Sequence, residues 1–238
     1  MVEDGLVLRK NNLVITNGSF AIPEWRKDTH FAVSLDGTEK IHDEIRGRGT
    51  YKRAKANILD AISKGIPVSL LYCINSINID CIPSFMKEWK DKKFEAIAFT
   101  VWVPIKNRND YLALNNRQRD QIVSLLLKLK KEYKQLIYNT ELMIELIRGK
   151  YGKSITDNCP MNVLNKKSRV HCVHLCNNGF VRIPCSLGED ADCLECRSVT
   201  TMGLYAGKVL NDKKSLIALF RMYHAKPHNK PDLEVTKL

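Results

Sequence analysis

The sequence predicts an α/β protein built on a parallel sheet, followed by a small cysteine-rich module. Between residues 13 and 105, short β-rich runs alternate with longer stretches whose apolar residues recur at i, i+3 and i+4, the pattern of successive βα units. The texture changes near residue 150, where GKYGKSITDNCP introduces turn residues. Six of the eight cysteines then fall within 38 residues, while Cys73 and Cys81 stand alone. These observations divide the chain into residues 1–150 and residues 151–238.

The strands expected are LVITNGS (13–19), HFAVSLDG (30–37), PVSLLYCIN (67–75) and AIAFTVWVPI (96–105). A helix is expected over 50–64, with Ala54, Ile58, Ala61 and Ile62 on its inner face, and another over 80–92, with Ile82, Phe85, Met86 and Trp89. A third, over 116–134, aligns Ile122, Leu126, Leu129 and Tyr133, and a shorter one over 140–149 ends at Gly149. Beyond the cysteines, Lys213 to His224 reads as helix, and the tail AKPHNKPDLEVTKL as loose chain.

With 238 residues and 44% apolar composition, the chain can bury a substantial core. No run of about 18 apolar residues exists, and MVEDGLVLRKNN carries charges where a signal peptide needs an apolar stretch, so a cytoplasmic protein with no membrane partner is expected. The net charge of +12 points to anionic partners such as nucleotides, nucleic acid or a phosphate-bearing substrate. Many of the lysines, however, are spread along helical stretches such as Lys87 to Lys93 and Lys128 to Lys134, as on ordinary solvated faces.

In parallel α/β sheets ligands sit beyond the carboxyl ends of the strands. Here those ends are Thr16-Asn17-Gly18, Ser34-Leu35-Asp36-Gly37 and Asn75, small polar groups and glycines that suit a polar cofactor, or that simply form turns.

Residues 34–58, SLDGTEKIHDEIRGRGTYKRAKANI, follow ITNGS and precede a strand ending in Ile74-Asn75. This order resembles the middle of radical S-adenosylmethionine (SAM) enzymes, where a strand ending in TNG is followed by S-[LI]-D-G and then H-D-x-x-R-G-x-G-[TS]-[FY]. The match spans roughly residues 13–105. It implies an incomplete parallel (β/α) barrel of radical SAM type whose strand ends hold SAM. Ser34 and Asp36 would lie on the strand facing its ribose and methionine portions, and Asn17 and Asn75 would line the same mouth. His42, Asp43, Arg46 and Gly49 would organise the loop and helix start, with Thr50 as the helix N-cap.

The family's C-x3-C-x2-C loop, which holds the SAM-cleaving cluster, has no counterpart. No cysteine precedes Cys73, and Cys172-x3-Cys176 is followed by Gly179 where a third cysteine would stand. The family's first two strands are missing as well. The expectation is a truncated, split or degenerate member that binds SAM only if the missing part is supplied, for instance by a partner chain, and that does not cleave SAM reductively alone. Neither catalytic residues nor substrate can be assigned from the sequence.

The cysteine spacing is Cys159-x12-Cys172-x3-Cys176-x8-Cys185-x7-Cys193-x2-Cys196. Thiols so arranged suit either zinc or an iron–sulfur cluster, and His171 and His174 beside Cys172 are further zinc donors. GFVRIPC followed by DCLEC resembles the auxiliary-cluster modules, of SPASM or twitch type, that follow radical SAM barrels. That resemblance implies a short hairpin turning at Gly179 and a [4Fe-4S] auxiliary cluster on Cys185, Cys193 and Cys196, completed by Cys172, Cys176 or Cys159. The alternatives are a basic, zinc-stabilised nucleic-acid-binding module and a non-catalytic subunit of a radical SAM complex.

Overall fold

The structure, a computed structural model, describes residues 12–24, 29–159, 174–175, 181–182, 185, 187–223. Four strands, β1 (Asn12–Thr16), β2 (Thr29–Ser34), β3 (Val68–Ile74) and β4 (Ile97–Val101), form one sheet in chain order. All three pairings are parallel; Val14 lies opposite Phe31, Ala32 opposite Ser69 and Leu71 opposite Ala98. Parallel neighbours need crossover connections, and the intervening helices supply them. β2 is buried at every residue, which accords with a sheet covered on both faces.

The helices are α1 (Glu39–Arg46), α2 (Thr50–Ser63), α3 (Ile82–Trp89, entered through a 3-10 turn at Ile79–Cys81), α4 (Asn116–Glu132), α5 (Glu141–Glu145), α6 (Gly152–Asp157), α7 (Val199–Lys208) and α8 (Lys213–Tyr223). α4 starts with a reciprocal cap: the Asn115 side chain accepts the Gln118 N–H at 2.9 Å, and the Gln118 side chain accepts the Asn115 N–H at 3.0 Å. A two-residue antiparallel pair, β5 (His174–Leu175) and β6 (Val181–Arg182), forms a separate small hairpin. Its expected turn at Gly179, the segment before residue 12 and the tail beyond Tyr223 lie outside the described residues.

Several elements differ from expectation. α1 and α7 are helices where none was expected. The helix expected over 140–149 stops at Glu145, and the turn-rich stretch after it folds as a 3-10 turn and then α6. β4 ends at Val101, and Ile105, expected in that strand, pairs antiparallel with Ala191 instead.

The sheet also continues past β4. Ile97 N–H donates to Leu136 O at 2.7 Å and Tyr138 N–H donates to Ile97 O at 2.9 Å. Next along, the fully buried Asn139 uses its side chain in place of backbone: Oδ1 accepts the Phe99 N–H at 2.8 Å and Nδ2 donates to Phe99 O at 2.9 Å. The ladder groups of Phe99 are thereby satisfied on that side by one amide.

A single apolar cluster runs from Ile22 to Met222, so α7 and α8 pack on the same core as the sheet. Their close approach depends on glycine: a Cβ on Gly203 would lie 2.5 Å from Leu219 Cγ, and one on Gly207 only 2.2 Å from Leu216 Cγ. No described helix is long and apolar enough to cross a membrane.

Candidate functional site

At the carboxyl ends of β1 and β2, the backbone turns are tied to the start of the helical layer. Asp36, 2% exposed, is the centre of this arrangement. Its Oδ2 pairs with Arg46 Nε at 2.6 Å, its Oδ1 accepts the Cys73 N–H at 2.9 Å, and its own N–H donates to His42 Nδ1 at 3.1 Å. Its carbonyl accepts from Asn78 Nδ2 at 3.2 Å. Asp36 therefore locks β2, β3 and α1 together, and both carboxylate oxygens already have partners.

Asn75, 1% exposed, closes its own turn: Oδ1 accepts the N–H groups of Ile77 and Asn78 at 3.0 and 3.3 Å. Asn17 is exposed, with Oδ1 accepting the Ser19 N–H at 3.0 Å, and Ser34 is nearly buried at the end of β2. Of the four residues expected at the mouth, Asn17 alone lines a pocket found there. That pocket, about 250 Å³, is walled by Asn17, Ser19, His42, Arg46 and Thr50.

His42 is fully buried. Because its Nδ1 accepts a hydrogen bond, the proton of the neutral ring is on Nε2, which is buried without a partner. Burial is the main cause that holds the His42 pKa below its ordinary value. The pocket thus offers the Arg46 guanidinium and the Ser19 hydroxyl, donors suited to a small polar or anionic group, while Thr50 Oγ1 is spent on Gly47 O and Asp43.

Thr50 is not the N-cap of α2. Gly49 stands at that position in a left-handed conformation, and the cap is Asp43, seven residues upstream of Thr50. The Asp43 carboxylate accepts from the Gly49 N–H at 2.6 Å, the Tyr51 N–H at 2.9 Å and Thr50 Oγ1 at 3.3 Å. These bonds, first that from Tyr51, hold the Asp43 pKa down. Position in sequence could not show this, because the loop folds back before α2 begins.

The Cys193–Cys196 knuckle lies at the end of β4. Asp192 N–H donates to Pro104 O at 2.9 Å and Val101 N–H donates to Arg197 O at 3.1 Å, so the Cys193–Cys196 knuckle hangs on the carboxyl end of that strand. Thr156 Oγ1, in α6, donates to Cys193 O at 2.7 Å, which ties the helix preceding Cys159 to the knuckle. Cys193 and Cys196 are each in electrostatic contact with Cys159 and Cys185, and burial first, then these neighbouring thiols, push their pKa values up. Cys172, Cys176 and His171 lie outside the described residues, and of His174 only the backbone is described. Among the described residues, no three His, Cys, Asp or Glu side chains are arranged to hold a metal ion as they stand. In donor type the four thiols fit a tetrathiolate centre: mutually repelling thiolates ionise together only when a cation takes up their charge.

Two buried arginines, which the sequence analysis did not single out, brace this knuckle. Arg119 in α4 pairs with Glu195 at 2.5 Å and donates to Ile147 O at 3.1 Å. Arg197 donates to Leu194 O at 3.0 Å and Cys196 O at 2.7 Å, and reaches Arg148 O at 3.3 Å. Arg119 was detectable, because it falls in helical phase with the buried Ile122, Val123 and Leu126. Nothing local marks Arg197.

No protein-family model matches the sequence, and no curated protein matches it. Among solved structures, the chain is similar to native anSMEcpe with bound AdoMet, at TM-score 0.48 and 15% identity over 90% of this chain and 60% of that one. It is similar in the same degree to native anSMEcpe with bound AdoMet and the Cp18Cys peptide, at TM-score 0.47 and 15% identity over 90% and 61%. This chain therefore spans about 60% of the length of those proteins.

Proposed function

We propose that this chain is a radical SAM family protein or part of one. Its residues 1–150 form an incomplete barrel over which SAM lies, and residues 151–238 hold an auxiliary iron–sulfur cluster. The observation that supports the reading is the Cys193–Cys196 knuckle held at the carboxyl end of β4, the rim where ligands of parallel sheets bind, with Cys159 and Cys185 within electrostatic range of it. Cys185, Cys193 and Cys196 are the proposed ligands, with Cys159 the described residue that completes the set. The motif resemblance over residues 13–105 supports the SAM part, as does the pocket walled by Asn17, Ser19 and Arg46.

When bound, the cluster supplies an electron-accepting centre beside the mouth of the sheet. The chain's own residues shape the surroundings: Asp36 fixes the strand ends, Arg46 presents a donor, and Asp43 sets the start of α2. Reductive cleavage of SAM calls for the C-x3-C-x2-C loop, which a partner chain would supply along β1, the outer strand among the described residues. Ile15 in β1 and Phe20 just beyond it are 61% and 86% exposed, an apolar surface that such a partner would cover.

The deciding experiment is anaerobic purification and iron–sulfide reconstitution, read by metal analysis and visible spectrum, alongside a Cys193→Ala/Cys196→Ala variant. Broad absorption near about 400 nm and roughly four irons per chain, lost in the variant, are expected. Stoichiometric zinc without iron would overturn the iron–sulfur reading, and nucleic-acid binding would become the next assay.

A further inference from the structure

The lysine-rich stretches Lys87 to Lys93 and Lys128 to Lys134 are far apart in sequence, and the fold brings their ends together. Parallel strands all start at one rim of the sheet, so the loops leading from each helix into the next strand share that rim. Three such loops lie side by side. Residues 64–67 lead from α2 into β3, residues 90–96 from α3 into β4, and residues 133–135 from α4 into the stretch that extends the sheet past β4. The backbone sets their order: Glu95 N–H donates to Val68 O at 2.8 Å and Ile97 N–H donates to Leu136 O at 2.7 Å. At about 4.8 Å between neighbouring strands, the three entries fall within about 10 Å. Tight turns fix the last two, with Phe94 N–H donating to Lys92 O at 3.0 Å and Leu136 N–H to Tyr133 O at 2.9 Å.

Lys64 pairs with Asp60 at 2.6 Å, Lys90 lies 3.9 Å from Asp91, and Lys130 turns back onto the carbonyls of Lys134 and Ile137. Lys92, Lys93, Lys131 and Lys134 are exposed, and none has an ion pair among the described residues. Against these four cations the rim carries the exposed Glu132 and the half-buried Glu95. None of the exposed large apolar side chains among the described residues lies on these loops.

We propose that this lysine rim is a docking surface for the phosphate backbone of a nucleic acid, engaged without regard to base sequence. The inference is independent of the radical SAM reading, because the rim is at the opposite end of the sheet from the candidate site. Each unpaired ammonium is a point charge that can meet one phosphate, and binding is driven by the counterions so released. With no exposed aromatic side chain on the loops, bases are not stacked or read. The same absence of aromatic and apolar anchors disfavours a protein partner, since protein interfaces are poor in lysine and rich in aromatic residues. Membrane insertion likewise needs apolar side chains that the rim does not present.

The test is fluorescence anisotropy of a labelled oligothymidylate titrated with the full chain at a series of salt concentrations. With four phosphate contacts, the slope of log K against log salt is expected near about −3, a loss of roughly 50-fold between about 50 and 200 mM salt. Lys92→Gln/Lys93→Gln/Lys131→Gln/Lys134→Gln should bring the slope near zero and weaken binding at least about tenfold at about 50 mM salt. Its circular dichroism should be unchanged, because all four side chains are in solvent. A charge-matched control, Lys40→Gln/Arg48→Gln/Arg117→Gln/Lys208→Gln, removes the same charge from other exposed positions and should stay within about threefold of the unsubstituted protein.

Equal weakening by the two variants would overturn the rim as the docking surface, as would undetectable or salt-independent binding by the unsubstituted protein. Tighter binding to polyglutamate or to phosphatidylserine vesicles than to the oligonucleotide would assign the rim to an acidic protein or a membrane, and overturn the nucleic-acid partner.

Discussion

Lowering the pH should loosen this fold through one histidine. His30, in β2, is 2% exposed, and its Nδ1–H donates to the Met222 carbonyl in α8 at 3.1 Å. That leaves Nε2 as the bare nitrogen, buried without a partner. A second proton would create a cation with no acceptor, so burial pushes the His30 pKa from 6.5 down to about 4, against the smaller opposing pull of the Met222 carbonyl. Above pH 6.5 the ring is neutral in folded and unfolded chains alike. Between pH 6.5 and about 4 only the unfolded chain takes up the proton, so stability is lost as the pH falls through that window and levels off below it. At about 1.4 kcal/mol per pH unit, the full window is worth about 3 kcal/mol. The assay is urea unfolding followed by tryptophan fluorescence at a series of pH values from about 8 to about 4, on the unsubstituted protein and on His30→Phe. Because His42 is pushed in the same direction, the difference between the two curves isolates His30. A difference that stays constant across the window, or a His30 ring resonance that titrates near 6.5, would refute the reasoning.

Asp43→Ala removes the acceptor of two backbone N–H groups at the start of α2 and should cost about 1–2 kcal/mol of stability in the same urea assay, with Asp43→Asn milder. Gly18→Ala should destabilise by about 1–3 kcal/mol, because φ is +70° and the added Cβ would sit 2.8 Å from Val33 Cγ1; an unchanged melting temperature would contradict the close packing of the β1 turn on β2. Cys159→Ser should lower bound metal as far as Cys196→Ser does, measured by metal analysis after reconstitution. Full loading of the Cys159 variant would assign the fourth ligand to Cys172 or Cys176 instead.

Much of the parallel sheet was legible because its strands are apolar runs separated by amphipathic helices, a pattern that survives without any knowledge of contacts. α2, α3 and α4 were legible for the same reason. α1 was not, since its eight residues show no long apolar stripe and it forms where Asp36, Arg46 and His42 are tied together. α7 was hidden by Thr200, Thr201, Gly203 and Gly207, poor helix formers on any propensity scale. Those same glycines let α8 pack against it, so burial decides where propensity argues otherwise. Of the residues expected at the mouth, Asp36 and Asn75 spend their side chains on the fold itself.

By itself, the sequence determined the class of fold, the order of the strands, and the residue types, thiols above all, that could do chemistry. Those depend on hydrophobic period and on the identity of side chains, both written locally. Only the tertiary structure decided that Arg197 holds the Cys193–Cys196 knuckle by its carbonyls, that Asp43 caps a helix across a turn, that Asn139 completes a strand edge, and that two arginines far apart in sequence are buried together beside that knuckle. Each of these is a pairing between groups distant along the chain. Burial selects such pairings, because a charge, a thiol or an amide taken out of water must find its partner wherever the fold brings one.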